Sequence, residues 1–428
     1  MKMLDRRCAL SAAASLFAAT ATATAASAQS PTATTSLLEK VRARALASRY
    51  LIVRTGGAFS GPGWDLLVRE GLASQVFIIG EEHGIAENPK LAAALFSTLV
   101  KGGYRHLAIE ISPPMGVVAD AAARRGIEGM KALASDPTSR APFIDLAEEA
   151  ELAVAARGAS SSSTPVIWGL DYELEADRRL IAMLKTRATA RARAALDAVE
   201  ADSRKTWARY AQTHNPGFIY SFGGDTNLVH TLIEAWPDPD PDSAWILRTL
   251  EQTLAINKLQ MKGDGFGSNQ LRSALIRENF LKHWSRAAGA DRSPRVMVKM
   301  GASHLVRGRS TVETFDLGSL LPELAALNGR PSFSLLVLPG EGSKTAVFDP
   351  TRIRYAAAPP KDNYGRDLEP ITRAVLDSGY TLFDLRPLRG VLDWRVNRLA
   401  SPELLRVVHG FDALLVMTGS TASANLVP

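Results

Sequence analysis

Six short apolar runs, separated by longer helix-patterned stretches, constrain the fold of this chain more than any other feature. They are Val76–Ile79, His106–Ile111, Val166–Leu170, Arg295–Met300, Ser332–Leu338 and Leu414–Met417. Most are continuous rather than alternating, the pattern of strands covered on both faces. Strands and helices in alternation predict an α/β fold, a mostly parallel sheet flanked by helices. The first unit is well punctuated. Asn88 reads as an N-cap, Pro89 as the first helical residue, and Gly102-Gly103 as the stop after LAAALFSTLVK.

From about residue 175 to 290 the texture is helical only, which predicts an all-helical insertion, or lid, dividing the α/β core into residues 29–174 and 291–428. Asp177 to Thr213 reads as one long helix. Residues 226–236, 244–260 and 269–288 read as three more, joined by PDPDPDS and KGDGFGS.

The first 28 residues read as an export signal. Lys2, Arg6 and Arg7 precede a mild Ala/Thr-rich run that ends in Ala26-Ser27-Ala28, a small-x-small cleavage site. Paired arginines before a weakly apolar run suit the twin-arginine pathway, with an ordinary secretory signal as the alternative. A periplasmic or secreted protein is the expectation. Cleavage would take three basic residues and one acidic, lowering the formal charge from +6 to +4. With no dense Lys/Arg run, a nucleic-acid partner is excluded. The one cysteine, Cys8, leaves with the signal, so disulfides, thiolate ligands and Cys nucleophiles are excluded too. No long apolar stretch follows the N-terminus, and no transmembrane span is expected. Oligomeric state is not legible.

Four of the runs lead straight into polar residues that a buried strand end does not need. VFIIG leads to Glu81-Glu82-His83-Gly84, HLAIE places Glu110, VIWGLD ends at Asp171 before Tyr172 and Glu173, and RVMVKMGASH places His304. Ligands of parallel sheets bind beyond the carboxyl ends of the strands, so these edges converge on one cleft. Extended backbone puts Glu81 and His83 on one side and Glu82 on the other. A carboxylate beside an imidazole fixes its tautomer and raises its basicity. Arg277, in SNQLRSALIRENFLKHW, is a candidate partner for an oxyanion or substrate carboxylate. Blander readings stand beside these. Glu81 would pair with an arginine, and Asp171 and Glu173 would cap the next helix. Arg277 would pair with Glu278 or Glu110, and His304 would open a helix capped by Ser303. The chain has no G-x-S-x-G, no H-E-x-x-H and no P-loop, which removes the usual signatures of serine hydrolases, zincins and nucleotide hydrolases.

The succession IIGEEHG, YRHLAIEIS, VIWGLD, RENF and VMVKMGASHL resembles the superfamily of erythromycin esterases, which also takes in ChaN-like haem-uptake proteins and TraB/Tiki proteases. The resemblance implies an α/β core with a helical insertion and a site formed by Glu81, His83, Glu110, Arg277 and His304. Two departures stand out. Only Glu82 separates Glu81 from His83, as in the ChaN-like branch, and Gly301 stands where the esterases carry a second histidine.

The expectation is an exported hydrolase that adds water to an ester, lactone or amide of a small-molecule or peptide substrate. His83, oriented by Glu81, would be the general base; Arg277 and His304 would stabilise the oxyanion or protonate the leaving group, and Glu110 would hold one of them. Asp171, Tyr172 and Glu173 would contact substrate. In a variant, Glu81, His83, Glu110 and His304 bind a divalent metal. The alternatives are a ChaN-like carrier with haem on Tyr172 or His83, and a TraB/Tiki-like metalloprotease.

Overall fold

The computed structural model describes residues 31–162, 164–289, 293–361, 365–393 and 397–428, and the signal reading lies outside them. The strands are β1 (Arg49–Thr55), β2 (Ala58–Ser60), β3 (Val76–Glu81), β4 (Tyr104–Ile109), β5 (Ile167–Gly169), β6 (Arg295–Gly301), β7 (Ser332–Pro339), β8 (Thr345–Asp349), β9 (Arg354–Ala358), β10 (Tyr380–Asp384) and β11 (Ala413–Met417). Nine form one sheet in the order β2-β1-β10-β11-β7-β3-β6-β4-β5, and β8 and β9 form a separate hairpin. From β11 to β5 every pairing is parallel; β10, β1 and β2 extend that edge antiparallel. The expected α/β fold with a mostly parallel sheet is what the chain forms. All six apolar runs are strands of its parallel part.

Side-chain alternation along β3 explains why its run is continuous. Phe77 and Ile79 enter a core with Leu91 and Leu95 of the helix Glu87–Leu99, whereas Val76 and Ile78 enter another with Ile276 and Phe280. Both faces are therefore apolar, and water reaches neither. Ile276 and Phe280 belong to the helix Gly265–Ala288, the last element of the helical stretch, which lies on the sheet itself. Between β5 and β6 the described residues contain helices and no strand.

Two local expectations are corrected. Asp177 to Thr213 is two helices, Asp177–Lys185 and Ala190–Thr213; Thr189 interrupts them by accepting the N–H of Ala192, an N-cap that restarts the helix. Asn88 does not cap. The helix already begins at Glu87, and the Asn88 amide turns inward instead.

The parallel strands on either side of β3 are reached in opposite directions: the chain leaves β3 for β4 and later returns on the other side at β7. Such a switch opens a crevice at the carboxyl ends. Glu81 lies at that end of β3, Gly301 beside it in β6, and Glu110 directly follows β4. Among the described residues no helix is long and apolar enough to cross a membrane.

Candidate active site

β3 and β6 pair with Ile79 opposite Lys299 and Glu81 opposite Gly301. Alternation puts Ile79, Glu81 and Lys299 on one face. Lys299, 4% exposed, donates to Glu81 Oε1 at 2.7 Å and to Glu149 Oε1 at 2.5 Å. Glu149 comes from the helix Ala147–Ala159, which packs on that face. Burial pushes the Glu81 carboxyl up, but the Lys299 ammonium and then His83 outweigh it, so Glu81 titrates below the usual range. Glu149 is pushed up by burial, with the Glu81 charge adding to it. Two carboxylates share one ammonium, and Glu81 is the more acidic of the two.

Because ionised Glu81 only accepts, the contact between its Oε1 and His83 Nδ1, 2.9 Å, assigns the proton to Nδ1. Asn88 Nδ2 donates to Glu81 Oε2 from the next helix. The other face of the site is Glu110. His83 Nε2 stands 3.5 Å from Glu110 Oε2, and the imidazole stacks on Phe143 at 4.3 Å between centroids. Burial alone would lower the His83 pKa; Glu110, then Glu81, raise it above 6.5.

Glu110 accepts the N–H of Gly301 at 2.7 Å and Nη2 of Arg272 at 2.8 Å, and lies 3.6 Å from His304 Nε2. Burial would raise this carboxyl, yet His83, His304, Arg272 and the Gly301 amide together hold it down at about 2. His304 is fixed from behind, its Nδ1 2.7 Å from Asp316 Oδ2, and Ser273 donates to the same oxygen.

The structure thus brings together Glu81, His83, Glu110, His304, Asp171 and Tyr172. Arg277 is elsewhere: its Nη1 donates to the Phe315 carbonyl on the outer side of the helix. Arg272 takes the place expected for it. Its Nε donates to both oxygens of Asp171, at 3.0 and 3.1 Å, and its guanidinium lies 5.0 Å above the Tyr172 ring. Five residues of helix rotate a side chain by about 140°, so the two arginines cannot share a face. Glu173 lies beside Asp171 and Tyr172, with its carboxylate engaged. It accepts from Ser112 and from the N–H groups of Leu174, Glu175 and Ala176, the capping role that was its plainer reading. Lys299, Glu149, Asn88, Arg272 and Asp316 were not read from the sequence. A usable signal existed for Arg272, which shares a buried helical stripe with Ile276, Asn279 and His283.

Gly301 leaves room for the His83 ring. A Cβ there would stand 2.9 Å from His83 Nε2 and 3.3 Å from Glu110 Oε2. The second histidine of the esterase motif therefore has no room beside His83 as it is held here.

The donor set does not fit a divalent metal. Glu81 is engaged by Lys299, Asn88 and His83, and Glu110 by Arg272 and the Gly301 amide, so each carboxylate already has a fixed cation on it. Among the described residues no group of three or more His, Cys, Asp or Glu is arranged to hold an ion. Haem fits no better: Arg272 covers the Tyr172 ring, and both His83 nitrogens face carboxylates.

Neither a protein-family model nor a curated protein matches the sequence. Solved structures match over nearly the whole chain. A Bacillus cereus protein superposes with a TM-score of 0.59 at 13% identity, over 91% of this chain and 99% of that one. Erythromycin esterase EreC, a mutant in its open conformation, superposes with a TM-score of 0.54 at 13% identity, over 85% and 95%. The fold is that of the erythromycin esterases. A succinoglycan biosynthesis protein also superposes on this chain, with a TM-score of 0.54 at 12% identity over 92% and 99%. The superfamily resemblance carried by IIGEEHG and VMVKMGASHL holds at the level of fold.

Proposed function

We propose that the chain is a hydrolase that adds water to an ester, lactone or amide bond. One observation carries this reading: His83 is flanked by two carboxylates and still reaches solvent, with a third of its side chain exposed. With its Nδ1 proton donated to Glu81, neutral His83 has its lone pair on Nε2. That nitrogen takes a proton from a water attacking the carbonyl carbon, and Glu110 stabilises the resulting imidazolium. Arg272, in place of Arg277, supplies positive charge for the oxyanion as it forms, and His304 a ring nitrogen beside it. When the tetrahedral intermediate collapses, the imidazolium returns the proton to the leaving oxygen or nitrogen. Asp316 positions His304, while Asp171 and Glu110 position Arg272. The engaged acceptors of Glu81 and Glu110 favour this metal-free chemistry over the metalloprotease and haem-carrier alternatives. The N-terminal sequence supports a periplasmic or secreted protein.

The test is turnover of a panel of chromogenic esters, lactones and anilides by the protein and its His83→Ala variant. Loss of about 10²–10⁴-fold in turnover with an unchanged circular dichroism spectrum is expected. Equal rates in the two proteins, or an inert parent protein, would overturn the proposal.

A further inference from the structure

Beside His83 lies a cavity of about 150 Å³. It shares Glu110, Ile111 and Phe143 with the narrow slot that contains His83, Glu81 and Lys299. A group held in the cavity therefore lies next to the slot that holds the imidazole.

Four aromatic rings line the cavity: Phe143, Tyr172, Phe348 and Tyr355. The last two come from the β8–β9 hairpin, their rings 5.2 Å apart and tilted by 53°. Tyr355 also accepts the N–H of Phe143 at 2.9 Å, which ties the hairpin wall to the ring stacked on His83. The charged groups of the wall are already engaged. Arg272 is held by Asp171 and Glu110, and Glu173 by Ser112 and three backbone N–H groups. A guest bearing its own charge would be desolvated against groups whose charge is already compensated, which costs binding energy. A cavity of about this volume has room for a benzene-sized guest. Aromatic walls add edge-to-face and offset contacts for a ring.

We infer that this cavity is the specificity subsite, and that it takes a compact, uncharged, phenyl-sized ring on the acyl or leaving-group side of the bond. The inference rests on the hydrolase reading only for the reaction, not for the binding. It makes the substrate an aryl or arylalkyl ester or amide and excludes large macrocycles from the cavity itself.

The test has a binding arm and a rate arm. Binding of benzyl alcohol, benzoate and benzylammonium is measured by calorimetry with the intact protein, with His83→Ala and with Phe348→Ala. Hydrolysis of methyl phenylacetate is compared with that of methyl 1-naphthylacetate and methyl acetate. Benzyl alcohol is expected to bind roughly tenfold or more tightly than either charged analogue, and equally well in H83A. Phe348 is half-buried in the hairpin, so its truncation spares the core. F348A should weaken benzyl alcohol about three- to tenfold and admit the naphthyl group. Charged analogues that bind as well as benzyl alcohol, or an unchanged affinity in F348A, would overturn the subsite. Selective binding without hydrolysis of any ester would leave the subsite standing and defeat the hydrolase reading. Hydrolysis without ring selectivity would do the reverse.

Discussion

Lys299 Nζ lies 2.7 Å from Glu81 Oε1, the oxygen that also accepts the Nδ1 proton of His83. A cation buried in the sheet and an imidazole open to the cleft share one acceptor. Whatever fixes Glu81 therefore fixes His83, and the charge of Lys299 lowers the basicity that Glu81 and Glu110 raise.

Lys299→Met leaves two carboxylates buried without their ammonium. Removing one member of a buried ion pair typically costs about 3–5 kcal/mol. Urea unfolding should show that loss, and Lys299→Met combined with Glu149→Met should recover much of it, because one of the two stranded carboxyl groups is removed. A double variant no more stable than the single would refute the shared-ammonium arrangement.

The pH dependence follows from His83. Its folded pKa is raised, so its protonation contributes stability that is full below 6.5 and is lost as pH rises through the folded value. Turnover by the neutral base runs the other way, rising with pH, with a midpoint above 6.5. Glu110→Gln removes the larger raising charge and should move the midpoint down. Imidazole titration by NMR reads the same shift without substrate.

Arg272 and Arg277 should separate cleanly. Arg272→Met strands Glu110 and Asp171 and should abolish turnover, with a fall in melting temperature. Arg277→Ala loses one bond to a carbonyl at the surface and should cost under about 1 kcal/mol with turnover unchanged. Loss of turnover in R277A would reinstate the assignment implied by the family motif.

Gly301→Ala should displace the His83 ring, because its Cβ would meet Nε2 at 2.9 Å. A fall in turnover is expected at near-parental stability. An unaltered His83 titration in this variant would contradict the packing.

Glu175 is 2% exposed, and burial, then the charges of Asp145 and Glu173, push its carboxyl up to about 8. A raised acid costs stability increasingly as pH climbs from about 4.5 to that value. Glu175→Gln should therefore stabilise the protein at pH 8 more than at pH 5, measured by urea midpoints. Equal effects at the two pH values would exclude the shift.

The sequence by itself determined the six parallel strands and the polar residues at their ends. Continuous apolar runs admit few structures other than strands buried on both faces, and polar residues placed straight after them project from the carboxyl edge of a parallel sheet. Glu81, His83, Glu110, Asp171 and His304 were legible for that reason. Local spacing also settles Glu81 against His83, since two residues in extended backbone share a side. Strands β1, β2, β8, β9 and β10 were not legible: they are short, or mix polar and apolar residues as edge and hairpin strands do. Tertiary structure alone decided the partners. Lys299 meets Glu81 only because β6 inserts beside β3, 218 residues away in the chain. Arg272 rather than Arg277 meets Glu110 because the rotation of one helix over the strand ends selects which side chain faces inward. Asn88 looked like a cap because caps are local, but its amide answers a carboxylate that only the folded sheet presents. Burial and charge pairing, which tune His83 and Glu110, are properties of that assembly and have no counterpart in the linear pattern.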